Sequence, residues 1–554
     1  MTEIDRKGVY FLPIGGADEI GMNMFAYGSN GKWIVVDAGY GFLNDDYPGM
    51  DMCYASPEFL TKVAQDVEGL FITHAHEDHM GAIAHVWPVL KCPVLGTDFT
   101  LGIVKERLKE YHLEDEVELV CVNDTMNVKL QEFDVDFVSL VHSVPQTCGL
   151  FIKTQSQNIF HATDWRFDDS KIEMLKNPLE KLKQVAKEGV DVFVCDSTNV
   201  SVNVHQYSEY DIRQSLCKII PEIKGGLIVT CFASNLMRLE SLLMAADIAQ
   251  RTPVLMGKTL LTNMKIAKEC GYFQNTPTAY DAEQVKHITS DKAMYICTGS
   301  QANYRSALSQ IVKGENKYVS LSDDDTIIFS SKIIPGNENK IEKMQEQMLA
   351  KGVSVITEET DLVHASGHAS KEELKQMYQI LKPQIVFPVH GDKRFIREHK
   401  HFALSCGVKD VCSGKNGDVF LFSDGKVEKI EETTSDVIGV DRGRSVSLNS
   451  ALIQNRRRIA YNCSMFISAV ISKDLQIKDL QITSVDILEE NAWNELVEKI
   501  KVAVIPLIDE KLKECKCVNS QVTDFIKGHI RKRVLKATDI KPVTLLHIYQ
   551  EHEN

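Results

Sequence analysis

No CxxC pair occurs in this chain: its fourteen cysteines are scattered through 554 residues, and the nearest two are Cys515 and Cys517. That absence excludes a zinc ribbon. With no secretory signal beside it, it also argues against a disulfide framework, so the thiols read as reduced and mostly buried. The opening stretch MTEIDRKGVYFLPIGG has no apolar h-region and is not rich in Arg or Ser, so neither a signal nor a transit peptide is expected. No apolar run is long enough to span a membrane, and the expectation is a cytoplasmic protein without a membrane partner. Internal repeats and low-complexity tracts are missing too. Positive charge is in deficit: the net charge is −15, which argues against a non-specific nucleic-acid coat but leaves room for a local basic groove.

What is present is a change of rhythm along the chain. Residues 9–40 alternate short β-rich runs with Gly turns, as in VYFLPIGG, MNMFAYGSNG and KWIVVDAG. Further strands are expected at 70–73, 117–122, 135–141, 150–154, 158–162 and 190–195. From about residue 207 strands and helices alternate, which predicts an α/β layered unit: strands near 227–231, 252–256, 293–297 and 326–330, with helices over 235–250, 260–270 and 339–351. The strand 384–389 then leads into His390. Residues 430–460 are polar and carry Arg456-Arg457-Arg458, so a linker is expected there, followed by a small α+β domain with a basic helix over 522–536.

The densest chemistry is HAHEDH at 74–79, directly after the apolar run Gly69-Leu70-Phe71-Ile72. Side chains alternate along a strand, so His74 and His76 can point the same way, while Asp78 and His79 fall at the turn into the next helix, close enough to serve a second ion. Imidazole nitrogen and carboxylate oxygen suit Zn²⁺ or Mn²⁺ in hydrolases.

This HxHxDH element resembles the signature of the metallo-β-lactamase superfamily. In the order that superfamily uses, Asp37 lies in VVDAG, His142 in LVHSVP and Asp164 in HATDW. DSTNV (196–200), HASGHAS (364–370), PVHGD (388–392), FASNLMR (232–238), TGSQ (298–301) and SSKIIPGNE (330–338) resemble the β-CASP nucleases, and within them the ribonuclease J family, over essentially the whole chain. The resemblance implies an αββα metallo-β-lactamase sandwich, an inserted α/β β-CASP domain and a small C-terminal α+β domain. The expected ranges are 1–206 and 356–445 for the core, 207–355 for the insert, 446–460 for a linker and 461–554 for the last domain.

Carried onto this sequence, the resemblance implies two divalent ions, zinc first, with manganese or magnesium as alternatives. His74, His76 and His142 would hold one; Asp78, His79 and His390 the other; Asp164 would bridge; and Asp37 would orient ligands without binding metal. Asp37, Asp196 and His368 would join Asp78 and His79 in the catalytic set. Ser234, His364, Ser366, Gly367 and His368 would line a pocket for a 5′-monophosphate. Arg238, Lys258, Arg305 and Lys332 are candidates to track RNA phosphates. The implied activity is metal-dependent ribonuclease, 5′-to-3′ exonuclease and endonuclease on single-stranded RNA, in RNA processing and decay, by a homodimer or homotetramer. The chain departs from common family residues at Asp18 and Thr163, where Gly is usual, and at Gln146, where an acid is usual. None of these changes removes a ligand.

Three other readings compete. A hydrolase of small esters or lactams predicts a compact chain without the insert. A catalytically weak RNA-binding scaffold would have lost ligands, and all seven are here. A purely endonucleolytic β-CASP relative shares the motifs but not the C-terminal segments.

Overall fold

The computed structural model describes residues 8–551 apart from 171, 173, 204, 205 and 335. Two compact units emerge. One is built from the chain up to Phe42 together with Met52–Ile438, the other from Leu43–Asp51 and the chain from Gly439 onward.

The first unit contains two large sheets packed face to face. In the eight-stranded sheet the order is Lys426–Glu432, Asp418–Ser423, Val9–Gly15, Met24–Ser29, Lys32–Val36, Val67–Phe71, Val94–Gly96, Leu119–Cys121. The seven-stranded sheet runs Asp410–Val411, Ile385–Val389, Val192–Asp196, Asn158–His161, Cys148–Lys153, Asp134–Ser139, Asn127–Lys129. Alternation along each strand sorts its side chains. Val192 and Val194 enter the core between the sheets with Phe11, Phe25, Phe71 and Phe137. Phe193 and Cys195 point the other way, into a second core under Leu182, Leu374, Met377 and Leu381 of the helices Leu179–Glu188 and Lys371–Leu381. The result is the expected αββα sandwich.

The insert is a six-stranded sheet in the order Tyr280–Asp281, Thr252–Met256, Ala293–Cys297, Leu227–Thr230, Thr326–Phe329, Ser354–Ile356, with every neighbouring pair parallel. Helices cover both faces, as all-parallel sheets require: Leu227 and Val229 feed one core and Ile228 the other. The insert meets the sandwich where helix Asp98–Glu110 crosses helix Lys258–Glu269. A Cβ on Gly102 would lie 2.5 Å from Cγ2 of Ile266, so only glycine permits this approach.

In the second unit the strands Ile477–Val485, Ser464–Ile471 and Val543–Gln550 form one sheet, covered on one face by helices Glu490–Cys515 and Ser520–Thr538. The stretch 446–460, expected to be a linker, instead carries most of the helix Ala451–Asn462. Its polarity is that of a largely exposed helix. Ser450 caps the helix, Ile453 is buried, and Arg456 is ion-paired to Asp441. The last strand, Val543–Gln550, was not anticipated; it pairs in parallel with Ser464–Ile471.

Candidate metal centre

Strand direction brings the site together. Asn158–His161, Val192–Asp196 and Ile385–Val389 are parallel neighbours, so Asp164, Asp196 and His390 emerge at one edge of the seven-stranded sheet. Asp134–Ser139 runs the same way two strands along and delivers His142 to that edge. From the facing sheet, the parallel strands Lys32–Val36 and Val67–Phe71 deliver Asp37 and the HAHEDH turn. His76 precedes the one-turn helix Glu77–Met80, which turns Asp78 and His79 inward.

Three groups of ligand-type side chains share one carboxylate. His74, His76, His142 and Asp164 form the first, Asp78, His79, Asp164 and His390 the second, and Asp164, Asp196, His368 and His390 a third that overlaps the second. In the first, Nδ1 of His76 lies 3.1 Å from both Nε2 of His74 and Nε2 of His142. Oδ2 of Asp164 is 3.8 Å and 3.5 Å from those same two Nε2 atoms. In the second, Nε2 of His79 stands 3.4 Å from Oδ2 of Asp164 and 3.7 Å from Oδ2 of Asp78, while Nε2 of His390 is 3.1 Å from the latter. Burial holds His76 down at about 4 and His142 at about 3, so both present bare nitrogen lone pairs at neutral pH. Burial opposes the His79 cation too, yet the carboxylates of Asp164, Asp78 and Asp37 outweigh it and hold that group up at about 10. Oδ1 of Asp164 is buried without a hydrogen-bond partner among the described residues. Three converging imidazoles and an orphaned buried carboxylate oxygen fit divalent metal and fit no purely protein hydrogen-bond network.

Around the ligands stands a layer of orienting bonds. Asp37, fully buried, accepts from the Thr73 amide at 2.8 Å, the Thr73 hydroxyl at 2.9 Å and Nδ1 of His79 at 2.7 Å. Nδ1 of His390 donates to the Thr198 hydroxyl at 2.7 Å, which donates to Asp196 at 2.6 Å. Nδ1 of His368 donates to the other Asp196 oxygen at 2.8 Å. Burial disfavours a charged His368, but Asp196 and Asp164 overcome it and hold its proton more tightly than usual.

Much of the motif sequence proves architectural. Ser370, the last residue of HASGHAS, forms a capping box with Glu373, and Asp392 of PVHGD caps helix Lys393–Ser405 through the amides of Arg394 and Phe395. Gly367, placed by resemblance in the phosphate pocket, has a structural reason to be glycine. A Cβ there would lie 2.6 Å from Cε1 and 2.7 Å from Nδ1 of His142, so the glycine makes room for a ligating histidine. Asp37, Thr163 and His390 all adopt left-handed backbone, with φ of 62°, 53° and 51°. Asp18 at 61° does likewise, which explains why glycine suits positions 18 and 163.

Of the pocket residues, Asn199 binds both the Ser366 hydroxyl and the His368 carbonyl, at 2.8 and 3.0 Å. His364 lies half-buried at the start of the same loop. Ser234 sits in the turn before helix Leu236–Ile248, and its hydroxyl makes no hydrogen bond among the described residues. Arg238 is not a surface cation. It is wholly buried and paired with Glu209 at 2.9 Å, because its helix lies inside the insert rather than on its rim. Lys258, Arg305 and Lys332 are exposed. Sequence reasoning missed Arg166, Asn199, Thr198 and Asn23, whose Nδ2 lies 3.1 Å from Nε2 of His79. Thr198 and Asn199 stand inside DSTNV and could have been suspected; Arg166 carries no local signal.

Fold and site together define a metallo-β-lactamase-type hydrolase with an inserted β-CASP domain. Residues 32–186 match the β-lactamase superfamily domain, 224–348 the ribonuclease J β-CASP domain, and 352–403 the Zn-dependent metallo-hydrolase RNA specificity domain. A solved protein of unknown function from Enterococcus faecalis V583 has the same fold, with a TM-score of 0.55 at 16% identity over 75% of this chain and all of that one. Among curated proteins, the chain is 34% identical to ribonuclease J of Sinorhizobium meliloti over 468 residues, 83% of this chain and 82% of that protein. It is 28% identical to ribonuclease J of Thermus thermophilus, over 97% of this chain and 94% of the relative. The chain belongs to the ribonuclease J family. It is a metallo-hydrolase-fold nuclease acting on RNA, and among the described residues no helix is long and apolar enough to cross a membrane.

Proposed function

We propose that the protein hydrolyses RNA phosphodiesters at a two-ion centre, trimming 5′-monophosphorylated single strands from the 5′ end and also cutting internally, in RNA processing and decay. The observation that carries this is Asp164, a single buried carboxylate common to the three-histidine group and the Asp78 group. The donor set of imidazole and carboxylate suits zinc first, then manganese, and magnesium least. When bound, the ions would neutralise phosphate oxygens and supply a water of lowered pKa.

The chain's own residues do the rest. Asp37 holds His79 by Nδ1 and so presents Nε2 inward. Asp196 grips Nδ1 of His368, leaving the opposite nitrogen to give a proton to the departing 3′ oxygen. Ser234, His364 and Ser366 would receive the terminal phosphate, which places the first nucleotide against the scissile bond. Trimming then proceeds from a 5′ end seated in the pocket, and internal cutting from a strand that bypasses it. Family resemblance supports a homodimer or homotetramer.

The deciding experiment is digestion of 5′-labelled, 5′-monophosphorylated RNA by wild type beside the double variant Asp78→Ala, His79→Ala. Labelled mononucleotide from wild type alone is expected. Internal fragments without mononucleotide would leave a nuclease but remove the 5′ pocket. No cleavage by metal-loaded protein would point to a binding protein instead.

A further inference from the structure

HASGHAS is bracketed by two buried arginines that the chemistry described so far does not use. Arg238 reaches the front of the loop from helix Leu236–Ile248. Its Nη1 donates to the Val363 carbonyl at 2.8 Å, and to the Ser330 hydroxyl and carbonyl at 2.7 and 3.0 Å. The same nitrogen faces Nδ1 of His364 at 3.5 Å. Ser330 in turn donates to the Val363 carbonyl at 2.7 Å, so that carbonyl is held twice. Arg166 grips the middle of the loop, donating to the Ser366 carbonyl at 2.7 Å and to the Tyr207 carbonyl at 2.8 Å. An acidic pair couples the two cations. Glu209 takes Nε and Nη2 of Arg238 at 3.2 and 2.9 Å, and its own amide donates at 2.9 Å to Asp168, which lies 3.8 Å from Arg166.

The two hydrogens of Nη1 go to the nearer Ser330 hydroxyl and Val363 carbonyl. A guanidinium has no acceptor, so an N–H on the His364 nitrogen facing it would meet only positive charge. The lone pair is favoured at Nδ1 and the ring proton on Nε2. We propose that Arg238 is a positioning residue that fixes His364 as a neutral, single-tautomer hydrogen-bond donor for the 5′-phosphate of RNA. This rests on the pocket proposed above and adds to it the group that orients the pocket's histidine. Charge around the ring agrees. Burial, and then Arg238, Lys332 and Arg166, all disfavour the imidazolium, so His364 stays neutral well below its ordinary range. The carboxylate that neutralises Arg238, Glu209, binds the far side of the guanidinium, on Nε and Nη2. A neutral donor adds no titrating charge of its own, so the pocket's preference follows only the phosphate's second ionisation, at about 6, and is level above it.

The test compares trimming of one RNA carrying a 5′-monophosphate or a 5′-hydroxyl, each rate normalised to the same protein's cutting of a circular RNA, between about pH 6.5 and 8.5. Wild type should favour the monophosphate by a ratio that is level above about pH 7, once the phosphate is fully ionised. In the pair variant Arg238→Met, Glu209→Gln, which strands no charge in the interior, that ratio should fall by on the order of 10²-fold at the alkaline end. It should recover as pH falls and the released His364 takes a proton. A pair variant with the wild-type ratio and a flat profile, beside a His364→Ala variant that has lost the ratio, overturns the positioning role and leaves the pocket standing. A wild type indifferent to its 5′ end overturns the pocket itself. Should the pair variant not fold, Ser330→Ala decides: removing one hydroxyl of the clamp should cost the ratio about tenfold, and no change would refute the proposal.

Discussion

The carbonyl oxygen of Gly367 accepts a hydrogen bond from Nδ1 of His142 at 2.6 Å. The bond joins two segments 225 residues apart and fixes the proton of His142 on the nitrogen that faces away from the ligand group. Nε2 is thereby left bare toward His76 and Asp164. The loop proposed to hold the end of the RNA is thus also what orients a proposed metal ligand, so the two functions cannot drift apart.

Gly367→Ala should therefore act on metal rather than on RNA. The added methyl would fall 2.6 Å from the His142 ring and push it out of line. Metal content measured on purified protein should drop, with cleavage reduced by about 10–100-fold. Full metal content with normal cleavage would mean that the loop yields without moving His142.

Chelation should abolish cleavage, and added Zn²⁺ or Mn²⁺ should restore it. Asp164→Asn should lower the bound metal at both groups together, because both converge on that carboxylate. Loss of one ion only, by elemental analysis, would show that the carboxylate is not shared.

His368→Gln should separate chemistry from metal. His368 makes its short contact with Asp196 and stands outside the three-histidine and Asp78 groups, although it clusters with Asp164, Asp196 and His390. We expect kcat to fall by roughly 10²–10⁴-fold with metal content unchanged. A variant that loses metal instead would move His368 into the ligand shell.

Acid stability should respond to His399, a buried histidine bonded to Ser197 at 2.8 Å and to the Tyr378 hydroxyl. Burial lowers it to about 4 in the folded chain from an ordinary 6.5. The unfolded chain therefore binds the proton first. The contribution is full above about 6.5 and is lost as pH falls toward about 4, roughly 3 kcal/mol at most. Melting temperatures of His399→Gln should fall less steeply than wild type across that window. Parallel curves would assign the acid sensitivity elsewhere.

Local sequence determined a good deal here, for reasons that are themselves local. Strand alternation separates Val192 and Val194 from Phe193 and Cys195 whatever the fold around them. HxHxDH after a buried strand puts four ligand-type side chains on one turn by backbone geometry alone, and the resemblance of the scattered motifs led to the αββα sandwich and its insert. What the sequence could not carry was environment. Arg238 looks like any helix cation until tertiary packing buries it against Glu209, Ser330 and Val363, residues far from it along the chain. Residues 446–460 read as a linker because polarity was all they displayed, whereas a cap and an ion pair to Asp441 make most of them helix. Arg166 and the seat of Gly367 against His142 exist only once parallel strands have been stacked in order. Periodicity and residue type are properties of neighbours in sequence. Burial, charge pairing and the fixing of a tautomer belong to neighbours in space, and only the folded chain decides those.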